Sequence, residues 1–141
     1  MNNREILFRA KRIDNGEWIE GYYYPQFDDL SIAYILCKNK GIVYEVIPES
    51  VGQFTGLLDK NGKRIFEHDI ILVYEDCCGE IKTWENIVCF KNGCFSLYDP
   101  NCCKICRDGF GITCNLYEAV SMWECKVVGN ISDNTMNKDI D

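Results

Sequence analysis

A β-rich fold, barrel- or sandwich-like and carrying at most one or two short helices, is predicted by three features of this sequence. Apolar and aromatic runs recur at strand length, turn residues separate them about every 8 to 12 residues, and Asn-Gly pairs at Asn61-Gly62 and Asn92-Gly93 mark hairpins. The chain of 141 residues suits one compact domain, expected over residues 1–131 with a polar C-terminal tail over 132–141. Apolar residues make up 47%, including eight Tyr, seven Phe and three Trp, which is enough to bury a core and argues against disorder.

The elements follow in order. Residues 6–10 open as a strand, Asp14-Asn15-Gly16 turns the chain, and residues 17–24 form a second strand. Residues 30–37, rich in Ile, Leu and Tyr, form a third, and Asn39-Lys40-Gly41 leads into a fourth over 42–47. The stretch from Pro48 to Leu57 is too broken by Pro and Gly for a long element. Asp59-Lys60-Asn61-Gly62 reads as a tight hairpin whose Asn-Gly suits positive φ angles. Strands over 69–75 and 81–91 follow, and Asn92-Gly93 turns into a strand over 94–98. Residues 99–114 read as an irregular loop. Leu116, Val120 and Trp123 fall at i, i+4 and i+7, a helical spacing, although residues 116–122 also suit a strand. Residues 123–131 form the last strand.

Charge and hydropathy exclude several classes. Acids outnumber bases by 22 to 15, a net charge of −7, so nucleic acid is disfavoured as a partner, because phosphate binding rests on clustered Lys and Arg. The one basic cluster, Arg4, Arg9, Lys11 and Arg12, is small. The longest apolar runs, residues 32–37 and 70–74, are far too short for a membrane span. The N-terminus has no apolar segment of the secretory type, which points to the cytoplasm. In that reducing compartment the ten cysteines are expected as free thiols or metal ligands rather than disulfides.

At three places the residues resemble the YopX family. Arg4-Glu5-Ile6-Leu7-Phe8-Arg9-Ala10 followed by Trp18-x-x-Gly21-Tyr22 is similar to its start. The run from Pro48 through Gly52-Gln53-Phe54-Thr55-Gly56 and Asp59-Lys60-Asn61-Gly62 to Glu67-His68-Asp69-Ile70 is similar to its signature. Val127-Val128-Gly129-Asn130-Ile131-x-Asp133-Asn134 is similar to its closing motif. His68 departs from the family, which usually has Gly there, and His tolerates the left-handed conformation better than a β-branched residue. The Cys-rich insert 102–114 is also outside the pattern. The resemblance implies a β-rich fold and a phage or prophage origin, and it supplies no catalytic residue. The signature also has a purely structural account, with Gly52 and Gly56 supplying bends and Glu67-His68-Asp69 sitting at a solvated corner.

Candidate chemistry is sparse. Cys103-Lys104-Ile105-Cys106 is a lone C-x-x-C, and Cys102 or Cys103 with Cys106, Cys114 and Cys125 would supply four thiolates for zinc. A second C-x-x-C is missing, small thiols are common in cores, and the cysteines are expected to be metal-free, with no cofactor. A redox role wants a βαβ setting that the sequence lacks. Glu67 and Asp69 lie two apart, as an acid–base pair would in extended chain, but no nucleophile or metal motif accompanies them. His68 is the only histidine. Asp59-Lys60-Asn61-Gly62 lacks the Gly and Glu positions of a calcium loop. No catalytic residue is assigned.

One segment suggests a surface. In Trp18-Ile19-Glu20-Gly21-Tyr22-Tyr23-Tyr24, alternation puts Trp18, Glu20, Tyr22 and Tyr24 on one face and Ile19, Gly21 and Tyr23 on the other. Both faces carry apolar groups. Either the strand is central and covered twice, or the Trp18, Tyr22 and Tyr24 face meets another chain. The expected function is therefore a non-enzymatic accessory module acting by self-association or by contact with a phage or host protein. The alternative is a small β-barrel that associates with nucleic acid during phage replication or regulation.

Overall fold

The computed structural model describes residues 5–25, 31–101 and 112–133. Among these the chain is built of antiparallel strands, with one 3-10 turn over Pro48–Ser50, an α-helix and helical residues again at 131–133, and no sheet closes into a barrel. The β-rich expectation holds. The Cα trace divides into two compact units, residues 1–56 and 57–141.

Unit 1 contains β1 (Phe8–Lys11), β2 (Trp18–Pro25), β3 (Ala33–Cys37), β4 (Val43–Val46) and most of β5 (Gly52–Leu58), in the order β4-β3-β2-β1-β5. Strand β2 is central, with Phe8 opposite Gly21 on one side and Cys37 opposite Gly21 on the other. Ala10, Ala33, Ile35 and Val46 form the core of this unit, with Phe8, Ile19 and Val51 packed against them. The 3-10 turn is tied to the end of β1: the Ser50 hydroxyl accepts from the Lys11 amide at 2.8 Å and donates to the Ile47 carbonyl at 2.6 Å. The expectation that residues 48–57 hold no long element is corrected here. Gly52 pairs with Arg9 in an ordinary extended conformation, and the strand carries Gly56 at φ +87° without ending.

In unit 2, β5 ends and a hairpin leads to its neighbour β6 (Arg64–Phe66). A five-stranded sheet follows in the order β10-β9-β8-β7-β11, from β7 (Asp69–Cys77), β8 (Glu80–Lys91), β9 (Cys94–Tyr98), β10 (Ile112–Asn115) and β11 (Glu124–Asn130). Strand β10 corrects the reading of 99–114 as wholly irregular. Ile112 pairs with Tyr98 and Asn115 with Ser96, across a bulge at Thr113 that frees its hydroxyl to donate to the Asn86 side chain at 2.6 Å. Residues 102–111 lie outside the described residues.

Helix α1 (Leu116–Met122) resolves the ambiguity at 116–122. The Asn115 side chain accepts from the Glu118 amide at 2.7 Å, capping the first turn, while Leu116 and Ala119 bury against the sheet core of Ile71, Val73, Val88 and Leu97. Val120 and Trp123 pack at the margin of the same core.

The turns divide in an instructive way. Asn92 and Gly93 both have positive φ, as do Cys78 and Gly79, so the β8–β9 and β7–β8 connections are two-residue mirror-image turns. At Asn61-Gly62 only Gly62 (φ +80°) is left-handed. The Gly62 amide donates to the Asp59 carbonyl at 3.0 Å, and the Asp59 carboxylate accepts from the Asn61 and Lys63 amides at 2.9 and 2.8 Å. That side-chain scaffold holds a loop in which Asn61 stays out of the left-handed region, longer than Asn-Gly alone predicts. An added Cβ at Gly62 meets nothing within 4 Å, so its cost is conformational only. Gly62→Val is expected to destabilise by about 1 kcal/mol, read as a lower thermal midpoint; an unchanged midpoint contradicts the turn.

Candidate functional site

The sheet of unit 1 has one packed face and one open face. Across β1, β2, β3 and β4, the register aligns Lys11 with Trp18, Arg9 with Glu20, Tyr22 with Leu36 and Val43, and Tyr24 with Tyr34 and Glu45. These residues share the face opposite the core. Trp18 is half-buried, with the Arg9 guanidinium 4.6 Å and the Lys11 ammonium 5.5 Å from its ring centroid. Tyr24 meets Tyr34 edge-on at 6.4 Å. Tyr22 is 52% exposed, Tyr24 62% and Val43 51%. Strand β2 is therefore central in its sheet yet open on its aromatic face, which separates the two properties that the sequence reading had joined. Tyr34, Leu36 and Val43 complete the patch and were not singled out from sequence, because only the pairing of β2 with β3 and β4 brings them beside the β2 tyrosines.

Of the weak metal candidates, Cys103 and Cys106 lie outside the described residues. Cys114 and Cys125 both belong to the unit 2 core. Burial, followed by the neighbouring Cys114 and Asp59, pushes the Cys125 thiol up to about 11, so it is a neutral core group at physiological pH. Cys77 and Cys78 are exposed at the β7–β8 tip, where Cys78 occupies a left-handed turn position (φ 58°). Among the described residues no three His, Cys, Asp or Glu side chains converge as metal ligands.

The solvated-corner reading of Glu67-His68-Asp69 is corrected at Asp69, which is fully buried. Its carboxylate accepts from the Phe66 amide at 2.8 Å and from the Asn130 side chain at 3.0 Å, so it is occupied by structural bonds. His68 does adopt the left-handed conformation (φ 73°), its amide donating to the Val88 carbonyl and its carbonyl accepting from Ile131. Asp59 is likewise buried, and its second oxygen accepts from the Val127 amide at 3.0 Å. The central and closing motifs of the sequence thus meet twice, Asp59 with Val127 and Asp69 with Asn130. Their regularity has a packing cause, with the middle of β11 clamped to the hairpin and its end to the corner.

Fold and surface together define an all-β protein of two antiparallel sheets, with an open aromatic face on the first. The YopX protein family model matches residues 7–136, and the chain belongs to the YopX family. Among solved structures the chain is similar to protein EF1440 from Enterococcus faecalis, at 24% identity and a TM-score of 0.52, over 93% of this chain and 96% of that one. That likeness concerns the fold. No curated protein matches the chain. Among the described residues no helix is long and apolar enough to cross a membrane.

Proposed function

We propose that the protein is a non-catalytic accessory module of phage or prophage origin that works in the cytoplasm by associating with a second copy of itself through the aromatic face of β2. The observation that carries this reading is the exposure of Tyr22 and Tyr24, together with Val43, on the face opposite the unit 1 core. Aromatic side chains bury large areas at interface centres at low entropic cost, and an open patch of them is the usual mark of a contact surface. A two-fold contact would place the Tyr22, Leu36 and Val43 patch of one copy against the same patch of the other, which makes self-association the simplest form of this contact.

Sedimentation velocity of the wild type beside Tyr22→Ser/Tyr24→Ser tests this. The wild type is expected to sediment as a dimer, and the double variant as a monomer with an unchanged melting temperature. A monomeric wild type overturns self-association and leaves a partner protein, to be sought by capture on wild type and on the variant. The neighbouring half-buried Arg9 and Trp18, with the guanidinium over the ring, also resemble the basic–aromatic platforms of single-strand binders. Retention on an oligonucleotide that falls steeply with salt and depends on Tyr22 and Tyr24 would favour that second reading.

A further inference from the structure

The sequence holds three Asn-Gly pairs, Asn15-Gly16, Asn61-Gly62 and Asn92-Gly93. Asparagine followed by glycine is chemically labile, since no Cβ keeps the glycine amide from the asparagine side chain. An added Cβ at Gly16, Gly62 or Gly93 meets nothing within 4 Å, so space does not separate the three. Hydrogen bonding does. The Gly16 amide donates to the Arg12 carbonyl at 3.0 Å, and the Asn15 side chain accepts from the Glu17 amide at 2.9 Å. The Gly62 amide donates to the Asp59 carbonyl at 3.0 Å, inside the loop that the Asp59 carboxylate holds. At the exposed tip between β8 and β9, neither the Asn92 side chain nor the Gly93 amide makes a hydrogen bond among the described residues.

We infer that Asn92 is a site of spontaneous deamidation, selected from the three pairs by the fold, and that its conversion loosens the β8–β9 hairpin. The Gly93 nitrogen gives its proton to solvent base and attacks the Asn92 Cγ carbonyl. An N–C bond forms, the bond from Cγ to the side-chain nitrogen breaks, and ammonia leaves with a proton returned from water. Water then opens the cyclic imide at either of its carbonyls. The product is aspartate or an isoaspartate whose main chain runs through Cβ, and no oxidant or reductant is involved. Ring closure needs Asn92 to turn about its Cα–C bond, out of the mirror-image turn, and that rotation breaks no hydrogen bond of Asn92 or Gly93. At Gly16 and Gly62 the nitrogen is bound to a carbonyl, which holds its proton and its position. The isoaspartyl link adds a main-chain atom to a two-residue turn that sets Lys91 opposite Cys94 and Phe90 opposite Phe95, whose ring centroids lie 5.1 Å apart.

The test is peptide mapping by mass spectrometry of the full chain held at mildly alkaline pH, reading the replacement of an amide by a hydroxyl at each Asn-Gly pair. In the folded chain Asn92 is expected to convert about tenfold faster than Asn15 or Asn61, the ratio that one ordinary hydrogen bond on each protected amide supplies. Its rate is expected to rise with hydroxide concentration. In guanidinium chloride the three rates are expected to converge. Equal rates in the folded chain, a lead by Asn15 or Asn61, or no conversion of the folded chain overturns the site. A lead by Asn92 that persists in denaturant traces the preference to neighbouring residues and overturns selection by the fold. The deamidated fraction, separated by ion exchange and holding both products, is expected to melt below Asn92→Asp, which adds the same charge without the extra atom. Equal midpoints overturn the loosening of the hairpin. Asn92 lies in unit 2, and Tyr22 and Tyr24 are untouched, so the outcome is independent of self-association through β2.

Discussion

Gly21→Ala is expected to destabilise the protein by about 3 kcal/mol or more, lowering the thermal midpoint by on the order of 10 °C. Gly21 sits in the central strand β2, between Phe8 of β1 and Cys37 of β3. A methyl group there would fall inside the van der Waals envelope of the Leu36 carbonyl oxygen, 2.8 Å from the carbonyl carbon and 3.0 Å from the Lys38 nitrogen. Every obstructing atom is backbone, so no side chain can turn aside; the β2–β3 pair must move apart, loosening the bond from the Lys38 amide to the Glu20 carbonyl. Gly129→Ala is the control, since its added Cβ meets only the Ile70 side chain at an ordinary 3.7 Å. Thermal melts followed by circular dichroism compare the two. Equal midpoints would show that β2 and β3 are less closely paired at Gly21 than the structure has them.

Asp59→Ala is expected to cost on the order of 3 kcal/mol and to change how stability depends on pH. The buried Asp59 carboxylate accepts from three backbone amides, those of Asn61, Lys63 and Val127, and alanine leaves all three without that acceptor. Burial by itself raises the Asp59 pKa, but the bonds from Val127, Lys63 and Asn61, with the Lys63 charge, outweigh it and hold the group below its ordinary value. The unfolded chain therefore takes up this proton first as the pH falls. The contribution is complete above about pH 4, the ordinary Asp value, and is lost as the pH drops through the lower folded value. Urea unfolding of wild type and Asp59→Ala from neutral to acid pH should show a gap that narrows below about pH 4. A gap of constant size would mean that Asp59 does not act as a carboxylate acceptor.

Much of the fold was legible because its signals are local. Alternation in Trp18-Ile19-Glu20-Gly21-Tyr22 marked β2, and Asn92-Gly93 marked its turn correctly because both residues take the positive φ that the pair favours. The same reasoning placed the Asn61-Gly62 hairpin and its left-handed Gly62, but not the turn type, which a carboxylate two residues before Asn61 decided. Glycine misled in residues 48–57, because Gly52 lies flat in a strand and Gly56 is carried within it. Trp18, Tyr22 and Tyr24 were legible as a stripe, but not their exposure.

By itself, the sequence determined the β-rich class, most strand positions, the helical spacing of Leu116, Val120 and Trp123, and the membership that residues 7–136 establish. Those properties depend on side-chain period and backbone preference within a few residues. Only the tertiary structure decided that Asp69 is a buried clamp, that Asp59 reaches Val127, and that Tyr22 stands beside Leu36 and Val43 on an open face. Asp59 and Val127 are 68 positions apart, and Asp69 and Asn130 are 61. Whether a carboxylate is solvated or buried depends on which distant amides face it, and that follows from strand order rather than from its neighbours in the chain.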